Sequence, residues 1–87
     1  MDSFRIEVAR SATKELRAID RQWVPRIMVA IEGLADDPMP VGCKKLAGSE
    51  HTYRIRVGDY RIVYDIQNAN LVIFVIRIRH RRDVYRQ

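Results

Sequence analysis

The stretch that decides the fold is YRIRVGDYRIVYDI, residues 53–66. Apolar side chains recur at every second position on both sides of Gly58-Asp59. Because successive side chains of a strand point to opposite faces, the pattern predicts two strands, each with one apolar face. The glycine–aspartate pair between them is typical of a two-residue hairpin turn. A later run with the same period, Ile76-Arg77-Ile78-Arg79, predicts a further strand.

The same alternation assigns arginines from three strands to one face of the predicted sheet, while the apolar side chains take the other. Cations that face each other across strands repel, so this concentration of charge does not serve the stability of the sheet. It indicates a polyanionic ligand. The arginines concerned are Arg54, Arg56, Arg61, Arg77 and Arg79.

The 87 residues predict a single domain spanning residues 1–87, with a formal net charge of +5. Residues 1–43 carry six basic and seven acidic side chains, whereas residues 44–87 carry ten basic and four acidic ones. The positive charge therefore belongs to the strand-rich half. Such a distribution favours nucleic acid as the partner, ahead of a membrane surface or an acidic protein.

Cys43 is the one cysteine of the sequence, which excludes an internal disulfide and is typical of a reducing cytoplasm. No histidine or second thiol lies near it in sequence to form a metal site. We expect no metal and no cofactor. No apolar run reaches the roughly 18 residues of a membrane span, and the first residues lack the apolar core of a signal peptide. We expect a cytoplasmic protein.

The first half of the chain predicts one strand and two helices. Residues 4–8 alternate, which predicts a strand with Phe4, Ile6 and Val8 inward. Ser11 is the expected N-cap of a helix that runs to about residue 19. A second helix is expected to begin between residues 21 and 24 and to end at about residue 35.

The order β-α-α-β-β-β predicts an α+β fold with a mainly antiparallel four-stranded sheet. The helical hairpin packs on one face, and the basic face, which we expect to be concave, lies opposite. The last strand should run from Leu71 to about Arg79 and take a central position, because its first half is nearly all apolar. Residues 80–87 read as a polar tail with one helical turn.

Four segments of the chain carry a family resemblance: KLAG (residues 45–48), YRIR (53–56), GDYRIVY (58–64) and HRRDVY (80–85). Together they resemble the RelE/ParE toxin superfamily of bacterial and archaeal toxin–antitoxin modules, on its RelE-like branch. The likeness covers almost the whole chain, since the family shares the order of one strand, two helices and three strands.

The resemblance implies the toxin component of a type II toxin–antitoxin system. Such toxins are ribosome-dependent mRNA endonucleases that enter the ribosomal A site, cut the codon there and arrest translation. Cleavage is a metal-free attack of the ribose 2′-oxygen on the adjacent phosphate, which gives a 2′,3′-cyclic phosphate and a 5′-hydroxyl. The implied partners are a RelB-like cognate antitoxin, which converts a monomeric toxin into a hetero-oligomer, and the 70S ribosome with its RNA and mRNA; no membrane is implied.

Family positions that match in this chain are Arg54, Arg56, Arg61, Arg81 and Tyr85. Arg54 and Arg56 stand where the best-known pattern has lysines. A guanidinium stays protonated in proteins, so these two are expected to stabilise charge through forked contacts to phosphate rather than to act as bases. The resemblance places Arg61 at the scissile phosphate and Arg81 on the leaving-group side.

The general base is expected at His80, because imidazole titrates in the suitable range. Glu50 and Tyr85 are the alternatives, and Tyr85 could instead stack on a nucleobase or orient the 2′-hydroxyl. Further cations are expected to contact RNA without taking part in the chemistry. They are Lys44, Lys45, Arg77, Arg79 and Arg82.

Two other functions fit the same scaffold, since one fold hosts several activities. A ParE-like toxin would inhibit DNA gyrase and lack the ribonuclease residues. A non-catalytic relic would only bind antitoxin or RNA, an alternative that the replaced lysines keep open. Arg61 and the ending of residues 80–85 favour the nuclease.

Overall fold

The computed structural model describes residues 3–84. Within them no helix is long and apolar enough to cross a membrane. The elements, in chain order, are β1 (Arg5–Val8), α1 (Arg10–Ala18), a 3-10 turn (Arg21–Trp23), α2 (Val24–Gly33), β2 (Lys44–Lys45), β3 (Thr52–Val57), β4 (Tyr60–Gln67), β5 (Val72–His80) and α3 (Arg81–Val84).

The strands form one mixed sheet in the order β1-β5-β4-β3-β2. β1 is parallel to β5, and every other neighbouring pair is antiparallel. The α+β architecture is confirmed, and β5 takes the predicted position between two other strands. The sheet has five strands rather than four, because Lys44 and Lys45 pair with Arg54 and Tyr53 as a two-residue edge strand.

The core lies between the sheet and the two long helices. In β4 the alternation is complete: Tyr60, Ile62, Tyr64 and Ile66 are buried, and the residues between them are half-buried. α2 contributes the buried side chains of Ile27, Ile31 and, just past its end, Leu34; α1 contributes Ala12. We call the opposite side of the sheet, which carries Arg54, Arg61 and Arg79, the open face.

Two predictions about the first half are wrong in detail. The N-cap of α1 is Ala9, with no side-chain cap hydrogen bond, and Ser11 lies inside the first turn. The Ser11 hydroxyl donates instead to the carbonyl of Ile76, at 2.9 Å, because β5 passes directly beside the helix. Val8, expected inward, is 40% exposed, since β1 ends there and the chain turns into α1.

A β-bulge interrupts the alternation of β5. Tyr64 pairs with Val75 and Val63 pairs with Arg77, so Ile76 is an extra residue between them. Both Val75 and Ile78 are consequently buried, although an odd number of positions separates them. The bulge shifts the period by one and so returns Arg77 to the open face.

The hairpin turn between β3 and β4 is locked against the helices by an aromatic contact. Gly58 has φ +59°, and a Cβ there would overlap the Trp23 ring. The same ring lies 5.8 Å from the Tyr60 ring and carries the Arg26 guanidinium at 5.2 Å. This contact fixes the turn that leads from β3 into β4.

Replacing Gly58 with alanine tests that anchor. Gly58→Ala should lower the free energy of unfolding in urea by about 1–3 kcal/mol more than Gly42→Ala, because the added methyl forces the indole out of place. Gly42 is the matched control, since it also has a positive φ, +92°, but has nothing within 4 Å of an added Cβ. Equal losses in the two variants would contradict the packing argument.

Candidate nucleic-acid interface

Three arginines stand in line across the central strands. Arg56 of β3 pairs with Arg61 of β4, and Arg61 pairs with Arg79 of β5. Directly opposed residues of antiparallel strands project from the same face, with Cβ atoms about 4.5–5.5 Å apart. We call Arg56, Arg61 and Arg79 the arginine row. Sequence reasoning expected Arg79 to contact RNA outside the catalytic set, whereas the register sets it beside Arg61.

A second line of cations runs parallel to the arginine row, two residues further along the strands. Lys44 pairs with Arg54, and Val63 pairs with Arg54 on one side and Arg77 on the other. Two strand residues span about 6.6–6.8 Å. Lys45 pairs with Tyr53 instead and so points to the opposite side of β2, which splits the two lysines.

The cations of the open face differ in burial. Arg54, Arg61 and Arg79 are half-buried, while Arg56 and Arg77 are exposed. Arg61 is central to the arginine row, with a cation on the neighbouring strand at each side. A partly desolvated cation between two others creates a strong positive potential, which suits an anion with several charged oxygens.

Two carboxylates lie among these cations, and both are hydrogen-bonded. Glu15 of α1 accepts from the Nε of Arg79 at 2.9 Å and lies 3.7 Å from the Nη1 of Arg77. Asp65 of β4 accepts from the Thr52 hydroxyl at 2.6 Å. Glu15 is a contact of the candidate site that sequence reasoning missed, because its position depends on how α1 packs against β5.

His80 does not join the arginines of the open face. It pairs with Tyr60, and the two rings meet edge to face with centroids 5.2 Å apart. The imidazole lines a cavity of about 180 Å³ on the helix side, together with Ala18 and Ile19. Its Nδ1 accepts the backbone N–H of Arg82 at 3.2 Å. β5 continues through His80, so the candidate base points away from the face that carries Arg79 and Arg61.

The other candidates near the chain end are only partly described. Arg81 begins α3, and its backbone N–H donates to the carbonyl of Asp59 at 2.7 Å, which ties α3 to the β3–β4 turn. The Arg81 and Arg82 side chains are exposed. Tyr85 lies outside the described residues. Glu50 lies before the start of β3 at Thr52, outside the strand that carries Arg54 and Arg56.

The tyrosines of the strands serve the core. Burial raises the pKa of Tyr64, and the neighbouring Cys43 adds to the effect. The Tyr64 phenol donates to the carbonyl of Pro38 at 2.7 Å and its ring stacks against Tyr53. These contacts assign Tyr64 to packing rather than to proton transfer. Among the described residues, no group of three histidine, cysteine or acidic side chains could hold a metal ion.

Comparisons with known proteins agree with this architecture. The family model described as ParE toxin of type II toxin-antitoxin system, parDE, matches residues 6–85. Toxin RelG of Mycobacterium tuberculosis is 34% identical over 71 residues, which cover 72% of this chain and 78% of that protein. Toxin RelE3 of Methanocaldococcus jannaschii is 31% identical over 85 residues, which cover 93% and 94%.

The fold is also that of a solved toxin. The structure of the archaeal RelE–RelB complex from Pyrococcus horikoshii superposes with a TM-score of 0.80 at 25% identity, over 91% of this chain and 96% of that one. Three findings agree. The chain has two helices on a five-stranded mixed sheet, the family model matches nearly its full length, and two relatives are more than 30% identical. The chain belongs to the RelE/ParE toxin superfamily of type II toxin–antitoxin systems, on its RelE-like branch.

Proposed function

We propose that this toxin is a metal-independent endoribonuclease that cuts mRNA in the ribosomal A site and thereby arrests translation. The observation that carries the proposal is the register of β3, β4 and β5, which sets the three arginines of the arginine row opposite one another on one face of the sheet. A phosphate bound there would meet several forked donors at once.

The proposed reaction is attack of the ribose 2′-oxygen on the adjacent phosphate, with departure of the 5′-oxygen. Negative charge builds up on the phosphate oxygens in the transition state, and prearranged cations lower its energy most effectively. Arg61, central and half-buried, takes the scissile phosphate. Arg56 and Arg54 stabilise the developing charge from β3, and Arg79 does so from β5.

Proton transfer requires groups other than these arginines, which stay protonated. Glu15 and Asp65 are engaged in hydrogen bonds, and His80 faces the helices. We therefore assign activation of the 2′-hydroxyl to Tyr85 or to a ribosomal group, which gives a physical reason for ribosome dependence. Arg81, held near the β3–β4 turn, is assigned to the leaving-group side.

The proposed partners follow from the same function. In the cytoplasm, mRNA and the 70S ribosome with its RNA form the substrate complex, and Lys44, Arg77 and Arg82 add contacts to RNA phosphates, whereas Lys45 points to the opposite side of β2. A RelB-like antitoxin is the proposed inhibitor, forming a hetero-oligomer with the toxin. RelE proteins of Pyrococcus horikoshii and Methanococcus jannaschii are described in complexes with RelB.

A second candidate function is inhibition of DNA gyrase, because the matching family model is that of ParE toxins. Two assays on the purified protein separate the two. Cuts at the A-site codon, mapped by primer extension on programmed 70S ribosomes, support the nuclease. Loss of gyrase supercoiling without any cut on ribosomes would overturn the nuclease in favour of the gyrase inhibitor.

Substitution of Arg61 tests the central role of the arginine row. Arg61→Ala should lower the rate of A-site cleavage at least about a hundredfold, as loss of one prearranged donor does in other enzymes. Arg61→Lys keeps the positive charge but loses the forked pair of N–H donors, so its cleavage rate should lie between those of the wild type and Arg61→Ala. Arg17→Ala is the charge-matched control, because Arg17 is exposed on α1. Thermal unfolding checks that each variant is folded; a folded Arg61→Ala variant with wild-type activity would contradict the assignment.

Salt dependence tests whether the open face binds phosphates. Affinity for a single-stranded RNA blocked by 2′-O-methyl groups should fall with salt, with a log–log slope of about −0.7 for each neutralised phosphate. Arg54→Gln should make the slope shallower, whereas Arg17→Gln should leave it unchanged. The measurement is fluorescence anisotropy over a range of KCl concentrations, and a salt-independent affinity would refute the binding model.

A further inference from the structure

We propose that Glu15 of α1 is a positioning residue, which holds Arg79 in the arginine row with its terminal fork directed to the phosphate. The inference rests on the proposed function and deepens it. It follows from the way in which side chains of α1 hydrogen-bond to the edge of β5 beyond the point where the partner strand, β1, ends.

The edge of β5 has two kinds of neighbour. β1 pairs with β5 only as far as Val75, and the last backbone bond runs from the N–H of Ala9 to the carbonyl of Val75, at 2.8 Å. Beyond Val75, side chains of α1 instead of the backbone of β1 make the hydrogen bonds to the edge of β5. The Ser11 hydroxyl donates to the carbonyl of Ile76 at 2.9 Å, and Glu15 Oε1 accepts the N–H of Ile78 at 2.9 Å.

Ser11 and Glu15 are four positions apart and so lie on one side of the helix. That spacing lets both reach the same strand edge, so α1 lies fixed along β5. Glu15 is thereby held in place by a backbone contact that does not involve its second oxygen. Its orientation is set by the fold before any ligand binds.

The second carboxylate oxygen binds arginine. Glu15 Oε2 accepts from the Nε of Arg79 at 2.9 Å, and the Nη1 of Arg77 lies 3.7 Å away. The side chains of Glu15 and Arg79 are only 23% and 28% exposed, whereas the Arg5–Glu7 pair is 73% and 46% exposed. A charge-assisted bond that is largely shielded from water is stronger and less screened by salt than an exposed pair.

This geometry uses the Nε side of the Arg79 guanidinium and leaves its two terminal nitrogens as a fork for an anion. It also offsets the repulsion between Arg79 and Arg61, which face each other across β4 and β5. Without Glu15, Arg79 would be free to turn away from Arg61 toward solvent. Glu15 thus prearranges one of the donors that the reaction needs.

Charge and positioning predict opposite effects for Glu15→Gln. The variant raises the formal net charge by one from +5, so simple attraction of RNA should increase. A positioning role instead requires slower chemistry, because the Arg79 fork is no longer held near the phosphate. The amide oxygen of glutamine still accepts the N–H of Ile78, so the strand edge is preserved. Ser11→Ala is the matched control, since it removes the neighbouring edge bond without touching an arginine.

Steady-state cleavage kinetics on programmed ribosomes provide the first test. Glu15→Gln should lower kcat about ten- to a hundredfold without raising KM, and Ser11→Ala should stay within about threefold of wild type. Wild-type kcat in Glu15→Gln, or an equal loss in Ser11→Ala, would overturn the proposal. Arg79→Ala combined with Glu15→Gln should be no slower than Arg79→Ala alone, because Glu15 acts through Arg79.

The second test uses the protein alone and does not depend on nuclease activity. Hydrogen exchange at the Nε–H of Arg79, followed by NMR, should be slow in wild type and in Ser11→Ala and faster in Glu15→Gln. An unchanged exchange rate of the Arg79 Nε–H in Glu15→Gln would overturn the proposal that Glu15 holds Arg79 in place. If the wild-type protein cuts no mRNA on ribosomes, the proposed function is overturned, and with it the catalytic role of Glu15. That outcome does not depend on the exchange rate of the Arg79 Nε–H.

Discussion

Burial of three isoleucines fixes the pairing register of the central strands, and the rest of the structure depends on it. Ile55 pairs with Ile62, and Ile62 pairs with Ile78, so that one residue from each strand enters the core at the same level. Their exposed fractions are 7%, 0% and 1%. A slip of one residue in β3 or β5 would bring an arginine into the core in place of Ile55 or Ile78, at the cost of burying charge. The register that builds the core therefore also aligns the arginine row on the opposite face.

The alignment has a cost that the molecule offsets locally. Like charges directly opposite each other destabilise a sheet, and such conflicts between fold and charge are expected at functional sites. Glu15 binds Arg79 at one end of the row, while the Trp23 ring packs on Gly58 at the nearby turn. One contact compensates charge and the other stabilises the hairpin. Both come from the helical half of the chain, which carries little net charge of its own.

The period-two pattern was sufficient to predict four of the five strands and the buried face of β4, because burial of one face is a local signal; the two-residue edge strand β2 was not predicted. The features that this pattern did not predict also have physical causes. His80 was assigned to a tail, although the strand that carries Arg79 extends one residue further and turns His80 to the helix side. The bulge at Ile76 has no sequence signature. The roles of Ser11 and Glu15 depend on where β1 ends beside β5, so a local capping rule predicted the wrong partner for Ser11.

The most direct test of the account is an NMR titration of the protein, with isotope-labelled arginine, histidine and tyrosine side chains, by a 2′-O-methylated single-stranded RNA. Guanidinium groups from three strands that together bind one phosphate chain should respond together. The account predicts that the Nε–H signals of the arginine row shift in concert, with one affinity, while the ring signals of His80 and Tyr60 stay in place. Shifts centred on His80 and Tyr60, with the arginine row unaffected, would contradict it.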